Sequence, residues 1–282
     1  AKGMGRAEIY DLLAMHNPDR MYGVGPAFLG DESVQSILHA LAEGKRLGIQ
    51  IGMVASSGWN AGGPWVKPDW AAKALYTSAL SIVGPRVYSD TLPLPDFPKK
   101  CPKDKNGVPQ YMKEIAIMAI RDNPDKKIKT SDDIIMLNKQ FDGEKLQWQV
   151  PDGKWTVLRF VCSNTGQHLI IPSPNSDGLQ IDFLDPKATT RYLQHILNRL
   201  RITKQNAKTS GLSYLSFDSM ELDEATTWTD AMDSIFMAHH GYDILPYLPA
   251  FAGWELPGGN DLFLQQYKKT VSDQLIFSHY KT

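Results

Sequence analysis

The sequence predicts an α/β fold interrupted by a β-rich insertion, and three observations carry that reading. Residues 31–75 run helix, strand, Gly-rich loop and helix, the rhythm of βα units. Residues 111–163 break into short alternating runs separated by polar turns, the pattern of small antiparallel strands. Residues 186–240 then return to helix, strand and helix.

The first helix is read over 33–47, where Val34, Ile37, Leu38, Leu41 and Leu47 recur at helical spacing. Asp31 or Ser33 can cap its start and Gly48 can end it. Ile49 to Val54 alternates as a strand, and 56–65 is a loop dense in glycine and tryptophan. Pro68 at a first turn, followed by Ala71, Ala72, Ala74 and Leu75, predicts a second helix. The prolines between 84 and 110 predict an irregular stretch. Strands are expected at Glu114–Ile120, Ile134–Leu137, Leu146–Val150 and Trp155–Cys162. Asp142-Gly143 and Asp152-Gly153 read as hairpin turns between them.

The amphipathic helix at 186–201 places Tyr192, Leu193, Ile196, Leu197 and Leu200 on one side. Leu212–Phe217 is the next strand. A helix at 229–239 can be capped by Thr227 or Thr229 and closed near Gly241. After a loop rich in proline and glycine, Asn260 or Asp261 caps a last helix. The expected division is 1–83 as βα units, 84–165 as the β insertion and 166–282 as βα units continued. That makes roughly four βα units, half of the eight in a complete barrel, so the chain reads as part of a longer protein.

Composition narrows the function classes. Lys+Arg total 30 against 31 Asp+Glu in 282 residues, and the net charge of −1 argues against a nucleic-acid footprint. No apolar run approaches the ~20 residues of a membrane span. The start of the chain carries no signal-peptide pattern. Cys101 and Cys162 lack metal-site spacing and are expected to be free thiols.

The strongest chemical signal is Asp218 and Glu221, two carboxylates where the strand Leu212–Phe217 ends. Strand ends of this kind carry the catalytic groups of α/β and barrel enzymes. Glycoside hydrolysis needs two carboxyl groups about 5–10 Å apart. A turn-capping Asp218 beside a solvated Glu221 is an equally good reading of the pattern alone. Trp59, Asn60 and Trp65 sit in the loop 57–65; the rings could grip sugar C–H faces or pack as core lids. His168, Gln180 and Asp182 could give polar contacts to a ligand, or form a polar loop that caps a helix. Trp228 follows Glu221 closely and could add another aromatic wall. Gly23-Val24-Gly25 is no dinucleotide fingerprint, and the adjacent His239 and His240 make a poor metal pair.

In order, Gly58-Trp59-Asn60-Ala61-Gly62-Gly63-Pro64-Trp65, Pro151-Asp152-Gly153-Lys154-Trp155-Thr156-Val157-Leu158-Arg159, Gly178-Leu179-Gln180-Ile181-Asp182 and Phe217-Asp218-Ser219-Met220-Glu221 resemble motifs of the family 106 glycoside hydrolases, the α-L-rhamnosidases of that class. Trp228-Thr229, Gly241-Tyr242-Asp243, Pro246-Tyr247-Leu248-Pro249 and Lys269-Thr270-Val271-Ser272-Asp273 are similar to further motifs of the same family. The resemblance spans about residues 30 to 280, and ordered motifs are far more specific than any one alone. It departs at Gln180, where the family usually has Glu, and at Phe183, where it usually has Lys.

The resemblance implies the N-terminal portion of a (β/α)8 TIM-type barrel with a small antiparallel β subdomain inserted. It implies an inverting hydrolase of α-L-rhamnosyl linkages in polysaccharide or oligosaccharide. Glu221 would be the catalytic general acid, and Trp59, Asn60, Trp65, His168, Gln180, Asp182, Asp218 and Trp228 would be substrate-binding. Apolar neighbours such as Met220 and Phe217 would help a general acid keep its proton. Calcium is implied as a cofactor, and a periplasmic or secreted address by the substrate class. The second carboxylate is expected beyond Thr282, so this chain alone is expected to be inactive and to need the remainder of the polypeptide. A catalytically inactive carbohydrate-binding relative, or a barrel glycosidase of other sugar specificity, stands as the alternative.

Overall fold

A computed structural model describes residues 3–13, 23–222 and 225–282. In chain order the elements are β1 (Arg6–Asp11), α1 (Asp31–Leu47), β2 (Gln50–Ser57), β3 (Gly62–Gly63), β4 (Lys73–Thr91), β5 (Met112–Arg121), β6 (Ile134–Met136), β7 (Lys145–Asn164), β8 (Leu179–Gln180), α2 (Pro186–Arg199), β9 (Leu212–Ser216), β10 (Thr227–Trp228), α3 (Met232–His240) and α4 (Asp261–Leu275). The fold is mixed α/β in two compact units. The first comprises the described residues of Ala1–Ala72 and Gly166–Leu222, the second those of Lys73–Thr165 and Asp223–Lys281.

The first unit is built on a parallel sheet in the order β1-β2-β9. Ile9 pairs with Met53, and Val54 with Ser216. The central strand β2 is buried from Ile51 to Ser57, as a parallel strand covered on both faces must be. Gly52 is required there because the Tyr214 ring lies where its Cβ would stand, 2.1 Å away. Helix α1 covers the sheet with Val34, Ile37 and Leu41, carries Asp31 and Glu32 in its first turn and Lys45 and Arg46 in its last, and ends at Gly48 in the left-handed conformation. Helix α2 starts at Pro186 with the Asp185 carboxylate accepting the Lys187 N–H. Its Tyr192 hydroxyl donates to the Ala55 carbonyl at 2.7 Å, tying α2 to β2. The described strands do not close into a barrel.

The second unit is an antiparallel sheet in the order β10-β4-β7-β5-β6. Strands β4 and β7 pair from Lys73↔Asn164 to Thr91↔Lys145. One end of this ribbon packs Ile82, Tyr88, Ile117, Trp148, Trp155 and Val157 into a core. Helices α3 and α4 belong to the same unit, with the Phe236 ring in contact with those of Tyr242 and Phe263.

Three sequence expectations are overturned here. The second helix predicted from Pro68 onward is one 3₁₀ turn, Pro68–Trp70, after which the chain becomes β4. The alanines favour helix weakly, and a ladder along the whole of β7 overrides that preference. The irregular stretch predicted from residue 84 begins only after Thr91, because Gly84-Pro85 lies within β4 at a register shift. Asp152-Gly153 is not a hairpin turn: Gly153 pairs with Gly84 inside β7, so the two strands predicted there are one. Asp142-Gly143 does turn the chain, with the Asp142 carboxylate accepting the N–H groups of Glu144 and Lys145. The sequence reading also passed over β1, a short and largely exposed strand. Cys101 and Cys162 are buried and form no disulfide.

Arg159 is a buried charge of the β sheet, 5% exposed. Its Nε and Nη2 donate to the Glu114 carboxylate and its Nη1 to the Leu92 carbonyl at 3.0 Å. Removing Arg159 leaves the partly exposed Glu114 carboxylate and the Leu92 carbonyl without their donor. Arg159→Met is expected to lower the unfolding free energy by about 1–3 kcal/mol, measured by urea denaturation. Adding Glu114→Leu should recover part of that loss, and a single-variant loss below about 0.5 kcal/mol would show the pair to be incidental.

Candidate functional site

The carboxyl ends of β1, β2 and β9 converge in the first unit, and the loops that follow β2 and β9 are laid against each other there. After β2, the Gly58 N–H donates to the Asp11 carbonyl at 2.7 Å and the Trp59 N–H to the Ile170 carbonyl at 3.2 Å. Gly58 has φ +76°, and a Cβ would stand 2.1 Å from the Ile170 oxygen, so only glycine makes this bend. The bend turns Trp59 outward: it is 37% exposed, while residues 51–58 and 60–63 are buried. After β9, the Ser219 N–H donates to the Trp59 carbonyl at 3.0 Å, which sets the Asp218–Glu221 segment beside the Trp59 main chain.

Beneath these loops runs a chain of side-chain amides. The Ile170 N–H donates to Asn60 Oδ1 at 2.7 Å, Asn60 Nδ2 donates to Gln180 Oε1 at 2.7 Å, and Gln180 Nε2 donates to the Glu221 carbonyl at 2.9 Å. Gln167 Nε2 donates to the same carbonyl at 2.7 Å. Both lone pairs of that oxygen are therefore filled by glutamine amides. The Glu221 carboxylate is half-buried and accepts the Ser219 hydroxyl at 2.9 Å.

Asp218 is exposed, and its Oδ2 accepts the Tyr10 hydroxyl from β1 at 2.6 Å. Burial, this hydrogen bond and the charges of Asp218 and Glu8 together push Tyr10 up to about 12. Glu8 in turn accepts the Ser216 hydroxyl, and the Asp11 carboxylate accepts that of Ser173 at 2.8 Å. The rim of the sheet is thus acidic, with Glu8, Asp11, Asp218 and Glu221 following one another around it.

The remaining expected site residues lie elsewhere. The Trp65 ring stacks on His195 (4.4 Å, 18°) and Tyr192 (6.1 Å, 22°) within the first unit. Burial, and after it the charge of Arg199, lower the His195 imidazole below its ordinary value. His168 meets Asn60 only through its backbone carbonyl, at 3.4 Å, while its ring pairs with Asp177 at 2.9 Å. Asp182 is 2% exposed, and its carboxylate accepts the Leu184 N–H in the turn leading to α2. Phe183 is buried beside it. Trp228 belongs to the second unit, where its buried ring stacks on Tyr267 at 6.4 Å.

Trp59, Asn60, Gln180, Asp218 and Glu221 are therefore brought together. Tyr10, Gln167 and Ser219 join them without having been singled out. Gln167 immediately precedes His168 in the chain. Tyr10 could have been found from the alternation of Ala7 and Ile9 in Arg6–Asp11. Among the described residues, no group of three or more His, Cys, Asp or Glu side chains is arranged to hold a metal ion. No described helix is long and apolar enough to cross a membrane.

Comparisons with known proteins place the chain in one family and match its fold. The profile of a family described as alpha-L-rhamnosidase matches residues 26–101 and 97–282. A curated protein of Formosa agariphila, provisionally named a beta-glucuronidase, is 27% identical over 310 aligned positions, covering 99% of this chain and 26% of that protein. The solved structure of a rhamnosidase from Novosphingobium sp. PP1Y superposes with a TM-score of 0.71 at 19% identity, covering 97% of this chain and 41% of that one. The chain thus spans about a quarter of the curated relative and two fifths of the solved one.

Two measurements test this geometry. Gly58→Ala is expected to cost about 1–3 kcal/mol through the strained φ and to alter Trp59 fluorescence; unchanged stability and emission would refute the bend. Tyr10 has a raised folded-state pKa, so its contribution is complete below about 10 and is lost as pH rises through about 12. Tyr10→Phe should therefore lose less stability than the parent over that alkaline window in urea denaturation at stepped pH.

Proposed function

This chain belongs to glycoside hydrolase family 106, described as alpha-L-rhamnosidase, and from that membership we propose that it forms part of an inverting glycosidase acting on α-L-rhamnosyl linkages in polysaccharide or oligosaccharide. The observation that carries the reading is Glu221 at the end of β9, half-buried, held by Ser219 and set beside the outward Trp59. Glu221 protonates the glycosidic oxygen as the bond to the anomeric carbon breaks. The base that activates water on the opposite sugar face comes from a strand outside this chain. Asp218, oriented by Tyr10, accepts a sugar hydroxyl, and the Trp59 face receives the C–H side of the ring.

The complete fold in this reading is a (β/α)8 barrel with the β-rich segment 84–165 inserted between its units. The parallel sheet β1-β2-β9 supports it, since its two outer strands each have an edge that later strands can pair with. Calcium, implied by the family resemblance, would help hold the sugar hydroxyls through oxygen ligands. The substrate class places the enzyme in the periplasm or outside the cell.

The name of the Formosa agariphila relative suggests a uronic acid substrate instead. The acidic rim of Glu8, Asp11, Asp218 and Glu221 favours a neutral sugar over an anionic one. Gln180, where the resemblance expects Glu, favours a second reading in which the protein grips sugar without cutting it.

Assay of the full-length enzyme separates these outcomes. Activity on aryl α-L-rhamnosides, with none on aryl β-glucuronides, is expected. Glu221→Gln should lower kcat by about 10²–10⁴-fold, and near-parental turnover would remove Glu221 from the chemistry. Trp59→Ala should raise KM about tenfold, the equivalent of ~1.4 kcal/mol of stacking. Rhamnose binding by calorimetry with no turnover would favour the binding protein.

A further inference from the structure

We propose that Gln180 is a positioning residue for Glu221, acting through the main chain rather than through the sugar. The role rests on Glu221 as the general acid. Gln180 is fully buried, so it makes no contact with a ligand at the rim. Its backbone is fixed on both sides: the N–H donates to the Gln167 carbonyl at 2.9 Å and the carbonyl accepts the Ala72 N–H at 2.9 Å. The side chain then has one task, the bridge from Asn60 to the Glu221 carbonyl.

The polarity of that bridge follows from a single backbone donor. The Ile170 N–H can only donate, so Asn60 must present Oδ1 to it and Nδ2 to Gln180. Gln180 must then present Oε1 to Asn60, which leaves its NH₂ for the Glu221 carbonyl. A carboxylate at 180 would satisfy Asn60 but set an oxygen against the carbonyl oxygen of Glu221, where two acceptors repel. This is the physical reason that Gln, and not Glu, stands at 180 in a chain whose Glu221 main chain is held this way. Gln167 supplies the second donor to the same oxygen from the preceding loop.

The test uses the full-length enzyme and two aryl α-L-rhamnosides, one with a dinitrophenyl and one with a methoxyphenyl leaving group. Only the second needs a well-placed general acid. Gln180→Met and Gln180→Glu are expected to lower kcat on the methoxyphenyl substrate by about 10–100-fold, the range seen when a supporting hydrogen bond behind a functional group is lost. On the dinitrophenyl substrate the loss should be less than about threefold, with KM little changed on both. Equal losses on the two substrates, or none on either, overturn the role, because a merely structural defect does not read the leaving group. Should Gln180→Met not fold, Gln167→Met carries the same test from a less buried position. Failure of the premise is seen separately: Glu221→Gln keeping full turnover on the methoxyphenyl substrate rejects Glu221 as the acid, whatever residue 180 does.

Discussion

A polar group removed from water must find a partner, and this constraint shapes the whole acidic rim. The loops after β2 and β9 leave their strands carrying unpaired backbone groups into a largely buried setting. They are satisfied by each other and by three amide side chains, Asn60, Gln167 and Gln180. Trp59 faces outward because Gly58 bends beneath it. Glu221 has a defined place because both lone pairs of its carbonyl are taken. A carboxylate and an aromatic side chain at the rim are thus held by hydrogen bonds from amides behind them.

The charge pattern follows from the same economy. Four carboxylates gather where three parallel strands end, and hydroxyls from Tyr10, Ser173, Ser216 and Ser219 meet one each. Neutral donors of this kind orient a carboxylate without cancelling its charge. That leaves the rim suited to a hydroxyl-rich neutral ligand. The second unit solves a different problem, a long two-stranded ribbon given a core by tryptophans and aliphatic side chains, with the buried Arg159 paired to a partly exposed Glu114.

Much of the fold was legible because its signals are local. Helices α1 and α2 announced themselves by apolar spacing, and β9 by its apolar run before Asp218; the side-chain caps expected for α1 and α4 are not made, α1 starting instead from Gly30. The failures share a cause as well. The alanines after Pro68 read as helix because propensity sees only neighbours, whereas β4 exists because β7, some eighty residues away, offers it a ladder. Asp152-Gly153 read as a turn because the dipeptide usually makes one, and here it is absorbed by pairing with Gly84.

For the site, the residue types and their order were enough to pick out the loop with Trp59, the strand end with Asp218 and Glu221, and Gln180 as a departure from its family. Those are covalent facts of the chain and survive any folding. What each residue does was decided in three dimensions. His168 turned to Asp177, Asp182 to a turn and Trp65 to a stack on His195, while Tyr10 and Gln167 came in from distant positions to hold Asp218 and Glu221. Hydrogen-bond partners are chosen by distance and direction, and neither is written in a linear order of side chains.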